Sequence, residues 1–412
     1  MDGIFFCLRK NSERNFIVKK RQPFFNFSWE IFLIAGNLRL TIIVIPPISS
    51  YIMQSFDLDQ TKIGLLTSIP LICFGLLSVL APLVIRKLGS YRTMITALGI
   101  LIIANFFRVL SAPWLFVGSF FTGAAITILN ILTPTVIVER APKHANVLNG
   151  LYTATLNLWA AGIGYLVAPL AKQIGWQAVV QLTSILPIIT LAGWFLIKNK
   201  TSNNDLEKNT VSNQQKIKLI EIINHPKIWL LAIFMGLQSF IYYGLIAWLP
   251  SILNHLKLSL LATGSLFALF QFIGIPISYI IPRISAGKNA FKWVLGGLFV
   301  GYVSGLSLLN LKSPTLPVIT IAIIALGLTT AAIFSLALGL ITTLSDSARE
   351  ISVIGGVVQS LGYLLACISP TLLGKLNSSF GNWNLPITLL LSLSIITILV
   401  GWLFLRENTF TN

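Results

Sequence analysis

Acidic side chains are the scarcest chemistry in this sequence. Asp and Glu number 12 in 412 residues, against 29 Lys and Arg, which leaves a net charge of +17 at neutral pH. All of these acids, including Glu30, Asp57, Glu139, Asp346 and Glu350, fall at the ends of apolar runs or outside them. That excludes a buried carboxylate pair for acid–base catalysis, and it disfavours proton coupling through a buried Asp or Glu. What remains is facilitated diffusion, exchange, or a proton taken with the substrate. Histidine and cysteine are as sparse. His144, His225 and His255 stand alone, and Cys7, Cys73 and Cys367 are scattered, so neither a metal site nor a disulfide framework follows. No cofactor is expected. No Ser-His-Asp set and no phosphate-cradling glycine loop occupies a shared region, which leaves a membrane enzyme without chemistry.

Apolar residues are abundant instead. They make up 55% of the chain, charged residues only 10%, and the mean hydropathy is +0.84. A soluble domain does not reach that composition. A bilayer crossing takes about 20 mainly apolar residues, and such stretches recur at 28–53, 63–85, 93–111, 114–138, 150–171, 176–198, 227–253, 259–282, 290–310, 315–343, 352–374 and 384–405. The fold class is therefore all-α integral membrane with twelve transmembrane helices, and the lipid bilayer is the first partner. The basic residues sit in the short breaks and in one tail, not on a single polar module, so no nucleic-acid partner is expected. Clusters such as Arg86, Lys87 and Arg92, Arg140 and Lys143, and Arg283, Lys288 and Lys292 fall on alternate connections. By the positive-inside rule they are cytoplasmic, together with both termini and the long middle loop. Residues 1–26 read as a basic cytoplasmic tail, because the apolar run that follows has full span length and no cleavage site.

A polar segment at 199–226 divides the chain into a half at 27–198 and a half at 227–405, followed by a short tail at 406–412. The halves echo each other: GIGYLVAPL, then GW and GWFL, in the fifth and sixth spans answer LGYLLACISP, then GNW and GWLFL, in the eleventh and twelfth. Two six-helix repeats with a cytoplasmic linker resemble the major facilitator superfamily. Five stretches sharpen that likeness: NLR (37–39), LLTSIPLICFGLLSVLAP (65–82), GLQSFIYYGLIAWLP (236–250), LFALFQFIGIP (266–276) and GGVVQSLGYLLACISP (355–370). Through them the sequence resembles the cyanate and 2-nitroimidazole transporters of that superfamily. The superfamily's signature between spans two and three is degenerate here as PLVIRKLGSYR (82–92), with Arg86 at the place of the Asp.

The residue with most to say is Arg39. It lies ten residues inside Trp29, roughly 15 Å deep in a helix, where snorkelling does not reach. A charge at that depth faces a wet cavity or a partner, so Arg39 is either a cationic site for an anionic or electron-rich substrate or a peg that binds backbone carbonyls. Gly36, Arg39 and Pro46 share one helical face, and Asn37 and Thr41 another. Pro46 and Pro47 deprive the carbonyls of Ile42 and Ile43 of donors, which predicts a bend just beyond Arg39. Further polar groups recur at helical spacing: Gln238 with Tyr242, Gln359 with Tyr363, Thr127 with Asn130 and Pro134, and Thr153 with Asn157, with Gln271 near the middle of the eighth span. Each either lines a cavity or bonds one helix to the next. Arg108 and Trp248 lie near predicted span ends and read as a snorkelling cation and an interface anchor.

These readings add up to a monomeric alternating-access carrier of a small solute, with a substrate site of Arg39, Asn37, Asn130, Asn157, Gln238, Tyr242, Gln271, Gln359 and Tyr363. A guanidinium with no buried carboxylate suits a small anion or weak organic acid. By resemblance the substrate is cyanate-like, with export of nitroimidazole-like heteroaromatics as the alternative and an anion channel as a third reading.

Overall fold

The protein is described from a computed structural model, which covers residues 27–198, 225–285, 288–341, 343–344 and 348–407. The expected N-terminal tail, most of the linker, Asp346 and the last five residues lie outside the described residues.

Twelve helices are long and apolar enough to cross a membrane among the described residues. They are span 1 (Phe27–Phe56), span 2 (Gln60–Leu77), span 3 (Ala81–Phe107), span 4 (Ala112–Arg140), span 5 (Val147–Ile174), span 6 (Trp176–Phe195), span 7 (Pro226–His255), span 8 (Leu260–Ile281), span 9 (Asn289–Leu309), span 10 (Leu316–Ile341), span 11 (Val353–Phe380) and span 12 (Asn384–Arg406). Hydropathy places nearly all of them. The exception is the boundary between spans 2 and 3, expected near 85–93 and found at 78–80. Pro82 does not close span 2; it sits in the first turn of span 3, where its missing N–H is harmless. The expected basic loop is consequently helical up to Gly89, which leaves the helix at φ 76° and sets exposed Arg86 and Lys87 on a separate end segment.

The internal repeat is visible in the backbone. Span 1 ends with Asp57 in the left-handed region (φ 50°), Leu58 N–H then reaches back to the Met53 carbonyl, and the Asp59 side chain caps span 2 by accepting from Lys62 N–H at 2.8 Å. Two hundred positions on, Lys257 has φ 60°, Leu258 N–H reaches the Leu253 carbonyl, and the Ser259 hydroxyl caps span 8 by accepting from Ala262 N–H at 3.2 Å. A side-chain oxygen at this position satisfies an orphan donor of the first helical turn.

Span 1 is the hub of its half. Trp159 of span 5 donates to the Phe32 carbonyl at 3.0 Å, Asn37 donates to Thr190 of span 6 at 2.8 Å, and Glu30 pairs with Arg140 of span 4 at 2.9 Å. The expected break is present: the helix lapses after residue 43, makes a 3-10 turn at Pro46–Ile48 and resumes at Ser49–Phe56. The halves meet along spans 2 and 11 and along spans 5 and 8. Gly64 and Gly374 allow the first of these contacts, because a Cβ on Gly64 would strike the Pro370 backbone and one on Gly374 would strike the Gln60 carbonyl. Small residues let transmembrane helices approach closely enough for dispersion to hold them, since lipid offers no hydrophobic drive between helices. Ser68 and Thr371 hydrogen-bond across the same contact at 3.0 Å, and Ser49 of span 1 meets Ser251 of span 7 at 3.4 Å.

Candidate functional site

Arg39 projects from the intact part of span 1, below the break, and is only half-buried. Its Nε is nevertheless enclosed without an acceptor, and among the described residues no hydrogen bond or ion pair engages its guanidinium. The titratable groups in its neighbourhood are four phenols: Tyr242, Tyr243, Tyr363 and Tyr152. The peg reading finds no support here, since among the described residues no backbone carbonyl holds this side chain.

The rings form a connected wall. Tyr242 and Tyr243 meet edge to face with centroids 5.2 Å apart, Tyr243 and Tyr363 at 6.1 Å, Phe74 and Tyr363 at 5.4 Å, and Tyr242 stacks on Phe270 at 6.2 Å. Spans 2, 7, 8 and 11 thus contribute one aromatic cluster, and ring pairs at these distances add about 0.5–1.5 kcal/mol each to simple burial. Hydrogen bonds fix two of the hydroxyls: Tyr242 donates to Gln271 Oε1 at 3.4 Å, and Tyr152 donates to Asn130 Oδ1 at 3.1 Å. The Nε2 of Gln271 is buried and unpartnered, so this amide keeps its donor group unused.

Of the nine residues expected at the site, the structure brings together Arg39, Tyr242, Tyr363, Gln271 and Asn130, the last through Tyr152. Asn157 and Gln359 are half-buried, Asn157 beside Gly274 and Gln359 beside Gly355. Two residues point elsewhere. Asn37 is fully buried against span 6, bonded to Thr190 and to the Leu33 carbonyl, and Gln238 is buried against the Thr330 carbonyl of span 10 at 3.3 Å. The face of Asn37 and Thr41 is thus turned into the half, while Arg39 looks out of it, as the 100° step of a helix requires. Thr127 and Thr153 bond carbonyls of their own helices, at Gly123 and Asn149.

Four ring residues are not singled out by sequence reasoning. Tyr243 is adjacent to Tyr242 and so off the i,i+4 face shared with Gln238; Tyr152 stands at the edge of its predicted span; Phe74 and Phe270 are ordinary apolar positions in a chain rich in them. The adjacent Tyr-Tyr pair is the one available signal. Two end-of-span assignments are corrected. Arg108 does not snorkel: it is 2% exposed and its Nη1 donates to the Thr41 carbonyl at 2.9 Å. The break explains the partner. Pro46 has no N–H for Ile42, Ile45 N–H turns to the Ile42 carbonyl instead, and Thr41 is left with a free acceptor. Trp248 is no interface anchor either; it is buried, donates to the Pro370 carbonyl at 2.8 Å and packs on Trp383 at 5.1 Å. A narrow crevice lined by Pro47, Gly164, Pro250, Asn254 and Phe267 among others lies beside the break, and no charged group lines it.

Two halves of six helices that meet along paired spans leave the family to sequence comparison, which decides it: the family model described as Major Facilitator Superfamily matches residues 31–370. The chain belongs to the major facilitator superfamily. This major facilitator is 30% identical over 373 residues to the 2-nitroimidazole transporter of Escherichia coli K12, covering 90% of this chain and 93% of that protein. It is 23% identical over 377 residues to the cyanate transport protein CynX of the same organism, covering 89% and 94%. The fold matches the crystal structure of a mutant of the nucleoside transporter NupG with a TM-score of 0.77 at 12% identity, over 92% of this chain and 99% of that one. The protein is a multi-pass inner-membrane transporter of small solutes, not an enzyme.

Proposed function

We propose that this major facilitator carries a small, planar, monovalent anion or weak organic acid, cyanate-like in charge and size, by alternating access around Arg39. One observation carries the proposal: among the described residues, a guanidinium without a protein partner stands beside four phenols and no carboxylate. A single cation balances one negative charge, and a surround of aromatic rings favours a conjugated ligand over a tetrahedral dianion such as phosphate. Asn130, Asn157, Gln271 and Gln359 supply neutral hydrogen bonds at the edges of the same space, with the tyrosine hydroxyls. Both termini face the cytoplasm, in keeping with the basic segments at Arg86, Lys87, Arg92 and Arg140. The working unit is the monomer, since each half completes the other's share of the site.

A second reading, export of nitroimidazole-like heteroaromatics, draws on the same rings and on the activity for which the Escherichia coli relative is named. A thermal-shift screen of the purified protein separates the two, because a ligand of the folded state raises its unfolding temperature by mass action. Cyanate, nitrate and small carboxylates should stabilise it, and Arg39→Gln should remove the shift together with counterflow in proteoliposomes. Undiminished counterflow in that variant would overturn the central-site assignment, while stabilisation by neutral nitroheterocycles alone would favour the second reading.

A further inference from the structure

A second cation is buried in the N-terminal half, on the other side of span 1. Arg108, just past the end of span 3, donates to the Thr41 carbonyl, yet its Nε is enclosed without an acceptor and no carboxylate pairs with it among the described residues. One turn back on the same helical face is Asn105, 0% exposed, with neither its Nδ2 nor its Oδ1 partnered. Span 4 faces this pair. Gly118 makes room for the Arg108 stem, where a Cβ would collide with it and sit 3.0 Å from the Ala104 carbonyl. One turn further along span 4, Thr122 is 1% exposed with an unpartnered hydroxyl. Span 6, packed against span 3, adds Ser184, also 1% exposed with an unpartnered hydroxyl.

Such a cluster is unusual, because buried polar side chains are nearly always satisfied. A guanidinium cannot escape the cost by losing its proton, and one neutral hydrogen bond does not offset removal of the charge from water. The fixed groups have a surplus of donors: the Nε–H of Arg108 and the two N–H bonds of Asn105 against one amide oxygen, with two hydroxyls able to act either way. Unused N–H donors beside an uncompensated cation have the chemistry of an anion site.

We propose that Arg108 and Asn105 bind a small monovalent inorganic anion of halide size inside the N-terminal half, with Thr122 and Ser184 completing its shell. The occupant neutralises Arg108 and so keeps it on the Thr41 carbonyl that the break in span 1 leaves free. It is a resident ion and not the cargo, since Arg39 faces away from this side of span 1.

The test is thermal unfolding of the purified full chain at fixed ionic strength, with chloride or bromide titrated against gluconate, which is too large for the site. The unfolding temperature should rise and saturate with halide in the natural protein and in Arg39→Gln, and should not respond in Arg108→Gln. Asn105→Leu should raise the half-saturating halide concentration about tenfold, the loss of one hydrogen bond to a charged group. If Arg108→Gln does not fold, Asn105→Leu decides: an unchanged half-saturation overturns the proposal. Equal unfolding temperatures of the natural protein in halide and gluconate overturn it too, as does a halide response that Arg39→Gln abolishes and Arg108→Gln keeps.

Discussion

Arg140 Nη1 lies 2.9 Å from Glu30 Oε2, tying span 4 to span 1, and the guanidinium sits 4.3 Å over the ring of Trp194 from span 6. Both charged side chains are partly exposed, at 32% and 22%, so the ion pair itself is worth at most about 1 kcal/mol, and the ring adds about 0.5–1 kcal/mol. Arg140→Met should therefore cost about 1–2 kcal/mol of stability in detergent and Glu30→Gln about half of that. The Glu30→Gln cost should shrink as salt is raised. Strictly additive losses in the double variant would show that the two residues are not coupled.

Asn37 joins spans 1 and 6 through Thr190 and does not face the rings. Interhelical hydrogen bonds of this kind are worth about 0.6–1.7 kcal/mol in membrane proteins. Asn37→Leu should thus lower the unfolding temperature while leaving the KM for transport unchanged. A large rise in KM without loss of stability would return Asn37 to the substrate site.

Tyr243 and Tyr363 meet edge to face beside Arg39, with ring centroids 6.1 Å apart. Removal of either hydroxyl as Phe should raise KM by about fivefold to tenfold, on the scale of one hydrogen bond, with the ring packing retained. The double variant should lose less than the product of the two, because adjoining side chains that face one ligand are coupled. Flux measured over a range of substrate concentrations reads this directly.

Spans 2 and 11 touch where Gly64 meets the Pro370 backbone. Gly64→Val should hold the two halves apart there and cut the turnover rate by about tenfold or more, the effect of a shift on the order of 1 Å at a packed helix contact. Gly99→Val is the control, since a Cβ at Gly99 meets nothing within 4 Å. Equal turnover in both variants would remove this contact from the transport cycle.

The helices were legible because hydropathy is a property of a stretch, and a bilayer imposes it regardless of neighbours. The break in span 1 was legible for a similar reason: Pro46 and Pro47 act on the backbone locally. Arg39 is singled out as a candidate by its depth alone. What eluded the sequence depends on partners from distant segments. Arg108 reads wrongly from sequence because its acceptor, the Thr41 carbonyl, exists only as a result of the break 67 residues earlier in the chain. Trp248 does so because position along a helix does not reveal that span 11 covers that point. Asn37 and Gln238 have the same chemistry as Asn130 and Gln271, and only the rotation of each helix against its neighbours separates the two pairs.

The two matching turns, at Asp57 and at Lys257, carry a consequence of descent. The backbone is reproduced position for position, down to the cap, while the left-handed residue is an acid in one copy and a base in the other. Shape persists where charge has been free to diverge, so an ancestral duplication is recorded in geometry that amino-acid identity no longer preserves. Exchanging residues 53–62 with 253–262 would then leave the architecture intact and reverse the polarity of that rim.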